Sequence, residues 1–468
     1  MQTEVTKSKE EKLGSAPLFR LMMSMGIPTL VAQIINLLYN IIDRIYIGHI
    51  PDVGAVALTG VGLALPMIVI ISAFSAFVGA GGAPLSAIAL GKGDKEEAEK
   101  ILGNGFSLLL LFSVVLMILF FIVKRPVFYL IGASDATFSY ADQYMTIYIF
   151  GTVFVQIALG MNPYITAQGC SRTAMISVLI GAVLNIALDP LFIFAFGMGI
   201  RGAALATVIS QFVSAVWILR FLTGKERAMG IRKQNLRISG KIVGKIMALG
   251  IAPFIMQATE SFISIVMNSG LQKYGGDIYV GTLTIMQSIM QFISIPVSGF
   301  TQGVQPIMSY NYGAGNRERV KKTYFVMLGT VLCYTVLLTG TIMIFPEIFA
   351  KMFTNSGELI DLVSGVLPVF ICGMLIFGIQ MCSQTTFLAL GRAKISLFIA
   401  LLRKVILLIP LAIILPKITG DVMFIYYAEP ISDVLSAVTC GVLFFYMLLR
   451  KELLGEQRIP TEKIRQRH

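Results

Sequence analysis

GIPTLVAQIINLLYNIIDRIYIGH, residues 26–49, is too long and too apolar for anything but a membrane-crossing helix. Asp43 lies inside it. A carboxylate within a bilayer costs about 2.5–3.5 kcal/mol on insertion scales, and such a residue is by default a functional one. Asn36, Tyr39, Asn40 and Asp43 are spaced by three, four or seven and so share one helical face. Arg44, the next residue, points elsewhere.

Outward from this segment the same length and apolarity recur along the whole chain. Stretches near 19–48, 54–82, 101–123, 138–165, 173–196, 201–222, 243–271, 279–308, 323–346, 359–388, 395–416 and 422–449 each reach the length a bilayer requires. Several are long enough to predict tilt or kinks. The fold class is therefore an all-α integral membrane protein with twelve transmembrane helices. A hydrophobic fraction of 56%, a charged fraction of 13% and a mean hydropathy of +0.81 agree. They exclude the several soluble domains that 468 residues could otherwise hold.

A net charge of +12 would by itself suit a nucleic-acid partner. Its placement says otherwise. Of the 37 Lys and Arg, Lys124, Arg125, Arg201, Lys273, Lys351 and Lys417 fall in odd-numbered loops, and Arg44, Arg403 and Lys404 within spans. All the others lie in the tails and even-numbered loops. The positive-inside rule then predicts a multi-pass protein of the cytoplasmic (inner) membrane with both termini cytoplasmic. The basic loops face lipid headgroups, and no nucleic acid is expected.

The five cysteines, Cys170, Cys333, Cys372, Cys382 and Cys440, are scattered, with neither zinc spacing nor a disulfide framework. No cofactor is expected. The polar N-terminal segment leads into a full-length span without a small-residue cleavage site, which argues against a removable signal peptide. There is no GxxxxGK[ST] loop for ATP, and GAGGAP (residues 79–84) lacks the preceding strand a phosphate loop needs. His49 and His468 form no metal cluster.

The chain is a duplication. Its longest charged loop, residues 223–245, falls near the midpoint, with six spans on either side. At one offset of 222 residues Pro84, Gly91, Gly93 and Asp94 match Pro306, Gly313, Gly315 and Asn316, and Ser214-Ala215 match Ser436-Ala437. Arg172 and Pro190 fall on Arg392 and Pro410 at an offset of 220. Six spans per copy make the repeats parallel, which predicts two pseudo-symmetric six-helix lobes around a V-shaped cleft. The expected organisation is an N-terminal tail over 1–18, an N-lobe over 19–222, a linker over 223–242, a C-lobe over 243–449 and a basic tail over 450–468. A two-lobed chain encloses its own cleft, so a monomer is expected.

Intramembrane carboxylates carry most of the functional information. In the N-lobe, Asn185 and Asp189 are four apart on the fifth span, Asp43 sits in the outer half of the first, and Thr207 in the outer third of the sixth. Carboxylates, amides and a hydroxyl thus converge at one level. Two such carboxylates without a matching cation cannot comfortably both be ionised. The group Asp43, Asp189, Asn185, Thr207, Asn40 and Asn36 would take a proton or collect oxygen ligands for sodium at Asp43 and Asp189. In the C-lobe, Glu260, Glu429 and Asp433 could be neutralised by Arg403 and Lys404, either as a structural cluster or as a second coupling or substrate site. Tyr39, Met256, Met286 and Met290 are candidates for the substrate cleft. Flexible thioethers suit promiscuous apolar pockets, and they also fill ordinary core.

Several strings resemble one family. NIIDRIYIGH (40–49), ALGKGD (89–94), LNIALDPLFIF (184–194) and GAALATVIS (202–210) are similar to the multidrug and toxic compound extrusion (MATE) family, over about residues 15–450. The likeness is greatest to its bacterial DinF-like kind, because the carboxylate network lies in the first lobe. The resemblance implies cation-coupled efflux, with protons or sodium as coupling ion, of bulky amphipathic or cationic compounds. It assigns the family's helix 1 acid to Asp43, its helix 5 pair to Asn185 and Asp189, and its helix 6 threonine to Thr207. Glu260 falls near an acidic position that other branches use in helix 7. The expected function is a secondary antiporter rather than an enzyme. The competing reading is a lipid-linked oligosaccharide flippase, which would line its cleft with cations for pyrophosphate; only Arg403 and Lys404 qualify.

Overall fold

A computed structural model describes residues 12–224 and 227–446. The expected tails, apart from residues 12–18, lie outside the described residues. The N-terminal half consists of α1 (Leu18–Gly48), α2 (Gly54–Gly91), α3 (Lys95–Leu130), α4 (Asp135–Ala167), α5 (Ser171–Pro190) and α6 (Ile200–Thr223). The C-terminal half opens with α7 (Gly240–Tyr274), α8 (Asp277–Gly313), α9 (Arg317–Ile344) and the short α10 (Pro346–Lys351). It closes with α11 (Gly357–Phe370), α12 (Phe377–Ala389), α13 (Ala393–Leu401), α14 (Ile409–Thr419) and α15 (Met423–Leu443). Among the described residues, eleven helices are long and apolar enough to cross a membrane, counting α13 and α14 as one. Many large apolar side chains stand on the outer surface of the described residues. On α3, Leu111, Val115, Ile118 and Ile122 recur at helical spacing and are all exposed, which suits a lipid solvent.

The span expected as one helix over 359–388 is broken. α11 ends two residues past Pro368, which lacks a backbone donor, and a 3₁₀ turn over Cys372–Leu375 leads to α12. Gly373 packs there against Asp433 of α15, with space for no larger residue. The eleventh span stays continuous but passes through a π-helical stretch, Leu402–Leu408, before Pro410.

Each half has its own apolar core, and the duplication is visible bond by bond. Gly93 and Gly315 both adopt positive φ, +79° and +77°. The Asp94 amide donates to the Ala89 carbonyl at 3.0 Å, and its counterpart Asn316 donates to Asn311 at 2.8 Å. Asp94 and Asn316 then cap the next helix by accepting from Glu97 and Arg319. The Asn162 and Gln384 amides, also 222 apart, reach the carbonyls of Ala174 and Ser396 at 2.9 and 3.2 Å. One expected match is corrected. Gly169 and Gly391 form the same left-handed turn, so the counterpart of Arg392 is Cys170 rather than Arg172. The offset drops to 220 only further on, at Pro190 and Pro410, beside the π-helical stretches of both fifth spans.

The lobes meet where α1 crosses α8 and α2 crosses α7 and α8. Glycines make the contact close: Gly303 lies on Met25 and Gly26, Gly299 on Leu30, Gly81 on Ile246, and Gly250 on Phe77. These approaches all fall in the helix halves nearest the basic loops. Toward the other end Asn40 and Glu260 are exposed, and the side chain of Glu260 is 58% accessible.

Two leading segments cross this junction. Leu13 is buried in the C-lobe core, its carbonyl accepts from Asn311 at 2.9 Å, and that of Ala16 accepts from Arg319 at 2.6 Å. The segment that precedes the second half docks on the N-lobe instead. Gln168 accepts from the Ala228 and Met229 amides, Asn104 accepts from Ser239, and Arg232 pairs with buried Glu99 at 2.6 Å.

Candidate functional site

α1, α5 and α6 bring the N-lobe group together. Asp189 is the penultimate residue of α5, where the helix passes at Pro190 into a π turn, Leu191–Ala195, an irregularity common at functional sites. Gly202 lets α6 lie directly on the backbone of Phe192 in that turn. The result is tight: Asp43, Asn185, Asp189 and Thr207 are all buried. Asn185 Nδ2 lies 3.4 Å from Asp189 Oδ1 and 3.4 Å from Thr207 Oγ1. The carboxyl groups of Asp43 and Asp189 interact side by side.

The distribution of hydrogen bonds leaves a gap of one kind. Asp43 Oδ1, Asp189 Oδ2 and Asn185 Oδ1 are buried acceptors that have no protein donor. Three orphan oxygens with the Thr207 hydroxyl form a hard, oxygen-only donor set that fits a proton or a small cation such as sodium. No metal-type cluster of His, Cys, Asp and Glu occurs among the described residues.

Three cavities lead through the lobe, and Asn36 and Leu159 line all of them. The first, about 210 Å³, abuts the lobe junction and is lined by Gln33, Asn162, Gln302 and Gln305 among small residues. The second, about 30 Å³, passes Gly181, Asn185 and Thr207. The third, about 140 Å³, holds Asp43 beside Tyr39, Tyr144, Tyr148 and Gln211. Tyr39, expected in the cleft between lobes, therefore sits in the carboxylate cavity. Asn40 is exposed and turns its amide to the Asn36 carbonyl at 2.6 Å. Arg44 corrects the sequence reading. It is exposed, but it lines the same cavity as Asp43, and its charge acts on that carboxylate, because a long side chain is not confined to its own helical face.

Tyr144, Tyr148 and Gln211 were not singled out from sequence. The signal was a polar stripe at spacing four along α4, Tyr144, Tyr148, Thr152 and Gln156, all buried.

The C-lobe charges are paired. Arg403 Nε lies 2.7 Å from Asp433 Oδ1, its Nη2 is 3.7 Å from Glu429 Oε1, and Lys404 Nζ is 2.6 Å from Glu260 Oε1. Of the methionines that could line the cleft or fill core, Met286 is fully buried in the C-lobe core. Met290 packs partly buried against it, and Met256 is half-buried on α7.

Comparison with known proteins gives the family and the fold. The MatE family model matches residues 28–191 and 253–414, once in each half. The chain is 23% identical to the multidrug export protein MepA of Staphylococcus haemolyticus (strain JCSC1435) over 419 residues, 88% of this chain and 91% of that one. It is 23% identical to MepA of Staphylococcus saprophyticus subsp. saprophyticus over 447 residues, 94% and 97% of the two chains. Among solved structures, a MATE protein in the bent conformation superposes with a TM-score of 0.86 at 24% identity, covering 93% of this chain and 96% of that chain. A MATE family transporter in an outward-facing conformation gives 0.85 at 22% identity, covering 92% and 96%.

Proposed function

We propose, from the premise that the chain belongs to the MatE family, that it is a secondary antiporter exporting amphipathic, often cationic, organic compounds in exchange for external protons or sodium. One observation carries the reading. Two buried carboxylates, Asp43 and Asp189, lie together with orphan oxygens, and no buried basic side chain lines the cavity that holds Asp43. Such a pair needs a mobile cation to be stable, and the cavity connects it to the outer half of α1.

A proton or sodium ion arriving from outside binds between Asp43 and Asp189, with Asn185 and Thr207 completing the shell. Its charge removes the repulsion between the carboxylates and lets α1 repack against α5 and α6. Repacking narrows the N-lobe cavities and releases the exported compound outward. The coupling operates because the cation has different affinity for the two packings. Both termini lie in the cytoplasm in this reading, the protein acts as a monomer in the inner membrane, and the junction of α1, α2, α7 and α8 is the closed cytoplasmic gate. A flippase reading is weaker, because Arg403 and Lys404, the two cations it would use, are already engaged with carboxylates.

Reconstitution into vesicles, with substrate-driven proton and sodium fluxes measured for wild type and Asp43→Asn, tests the proposal. Asp43→Asn is expected to insert and fold normally but to lose ion-coupled export. Unchanged coupled export in that variant would overturn the reading.

A further inference from the structure

Each half buries a pair of carboxylates between its fifth and sixth spans or beside them, at different repeat positions, and the C-lobe meets its pair with its own side chain. The 222-residue offset that matches Ser214 to Ser436 also sets Thr207 on Glu429, Ser210 on Ser432, Gln211 on Asp433 and Gly181 on Arg403. Contacts agree with this register. A methyl group on Gly181 would lie 3.7 Å from the Ser210 carbonyl oxygen, and the Ser432 hydroxyl donates to the Arg403 carbonyl at 2.7 Å. In the N-lobe, Gly181 lies against the Ser214 hydroxyl, which a methyl group would approach to 2.5 Å, and both line the small cavity beside Asn185, Thr207 and Gln211.

In the C-lobe the corresponding space holds a guanidinium. It sits between Asp433 and Glu429, and 5.3 Å from the centre of the Phe377 ring. Phe377 is the counterpart of Val155, which lines the Asp43 cavity. Arg403, Glu429 and Asp433 are all buried, and Asp433 Oδ2 finds no protein donor. The neighbouring base, Lys404, is committed to Glu260. Each lobe therefore contains two buried carboxylates that need one positive charge. In the C-lobe that charge is covalently attached.

We propose that Arg403 is the resident occupant of a C-lobe monovalent-cation site, and that its tether keeps this lobe from exchanging ions while the N-lobe does so. A guanidinium stays protonated throughout the working pH range, and its planar fork suits two carboxylates. No step of the cycle can leave Glu429 and Asp433 bare. The lobes then differ both in where their carboxylates stand and in the charge that meets them, a mobile cation in one half and Arg403, in place of Gly181, in the other. The proposal rests on the reading of the N-lobe as an exchangeable cation site.

The test counts exchangeable cations on the purified full chain, by calorimetric titration with sodium chloride and by proton uptake on acidification. Wild type is expected to bind one, and Asp43→Asn none. Arg403→Gly is expected to bind two, with the added cation lost again in Arg403→Gly/Asp433→Asn. Arg403→Lys keeps a tethered charge and is expected to bind one. A count of one for Arg403→Gly overturns the proposal. So does an Arg403→Gly protein that stays unfolded at every sodium concentration and pH, because a mobile cation should refill the vacated place. A wild-type count indifferent to Asp43→Asn would instead overturn the N-lobe reading, while the increment caused by Arg403→Gly remains separately readable.

Discussion

Gly91 and Gly313 are symmetric partners at the lobe junction: a side chain on Gly91 would overlap the carbonyl oxygen of Tyr310, and one on Gly313 would overlap that of Ile88, 222 residues earlier. The same crossing is thus made twice by one pair of helices. Backbone sits against backbone, so no rotamer change can relieve an added group. Gly91→Val is expected to hold the lobes apart at this end and to reduce transport at least tenfold, a difference of about 1.4 kcal/mol between packings. Gly244→Ala, where an added methyl meets nothing within 4 Å, is the control. Vesicle uptake for both variants, at matched levels of folded protein, checks the expectation.

Asp189 and Asp433 give a second contrast. Asp189 belongs to a carboxylate pair with no buried cation, whereas Asp433 Oδ1 already has the Arg403 guanidinium at 2.7 Å. Asp189→Asn is expected to impair ion-coupled export far more than Asp433→Asn. The opposite order in flux measurements would move the coupling site to the C-lobe.

Stability should separate the two C-lobe pairs. Arg403→Met leaves Glu429 and Asp433 buried without compensation, which costs about 3–5 kcal/mol when a buried pair loses one partner. Lys404→Met breaks a pair whose Glu260 side chain is 58% accessible, and a partly exposed bridge is worth about 1 kcal/mol or less. Thermal unfolding in detergent is expected to show a large drop for the first and a small one for the second. Adding Glu429→Gln and Asp433→Asn to Arg403→Met should restore most of the loss.

Gln168 holds the segment between the halves. Its Oε1 accepts from the Ala228 and Met229 amides at 3.0 Å each, and the side chain is buried. Gln168→Ala leaves two donors without partners, a cost of about 1–3 kcal/mol for each group that stays buried. Limited trypsin digestion is expected to cut this variant faster at Arg232 and Lys233, and resistance equal to wild type would count against the clasp.

The sequence made some features plain for physical reasons. A carboxylate is expensive in an apolar helix, so the Asp43 face and the Asn185–Asp189 pair stood out by chemistry alone. Glycines that must adopt positive φ repeat visibly, which exposed the duplication through Gly93 and Gly315. Rotation of one helix against another leaves no such mark. Sequence could not say which acid Arg403 would meet, or choose between core and cleft for Met286; for Tyr39 the shared face with Asp43 was the better guide than the cleft assignment. The break after Phe370 was hidden because Pro368 resembles the other helix prolines, most of which are accommodated without a break. Arg44 was misjudged because face arguments place Cβ atoms, not the ends of long side chains.

The two leading segments have a consequence for how the chain assembles. Residues 12–16 run ahead of the first half yet fasten to Asn311 and Arg319 of the second, while residues 227–239 run ahead of the second half and fasten to Glu99, Asn104 and Gln168 of the first. Leu13 and Asn235, near the middle of these arms, are themselves 222 residues apart. Each half thus carries the arm of the other, an exchange that follows the internal repeat. The dependence is one-sided in time: the first half can finish once residues 227–239 have followed α6, whereas the second half closes on residues 12–16, a segment made before any helix of either half.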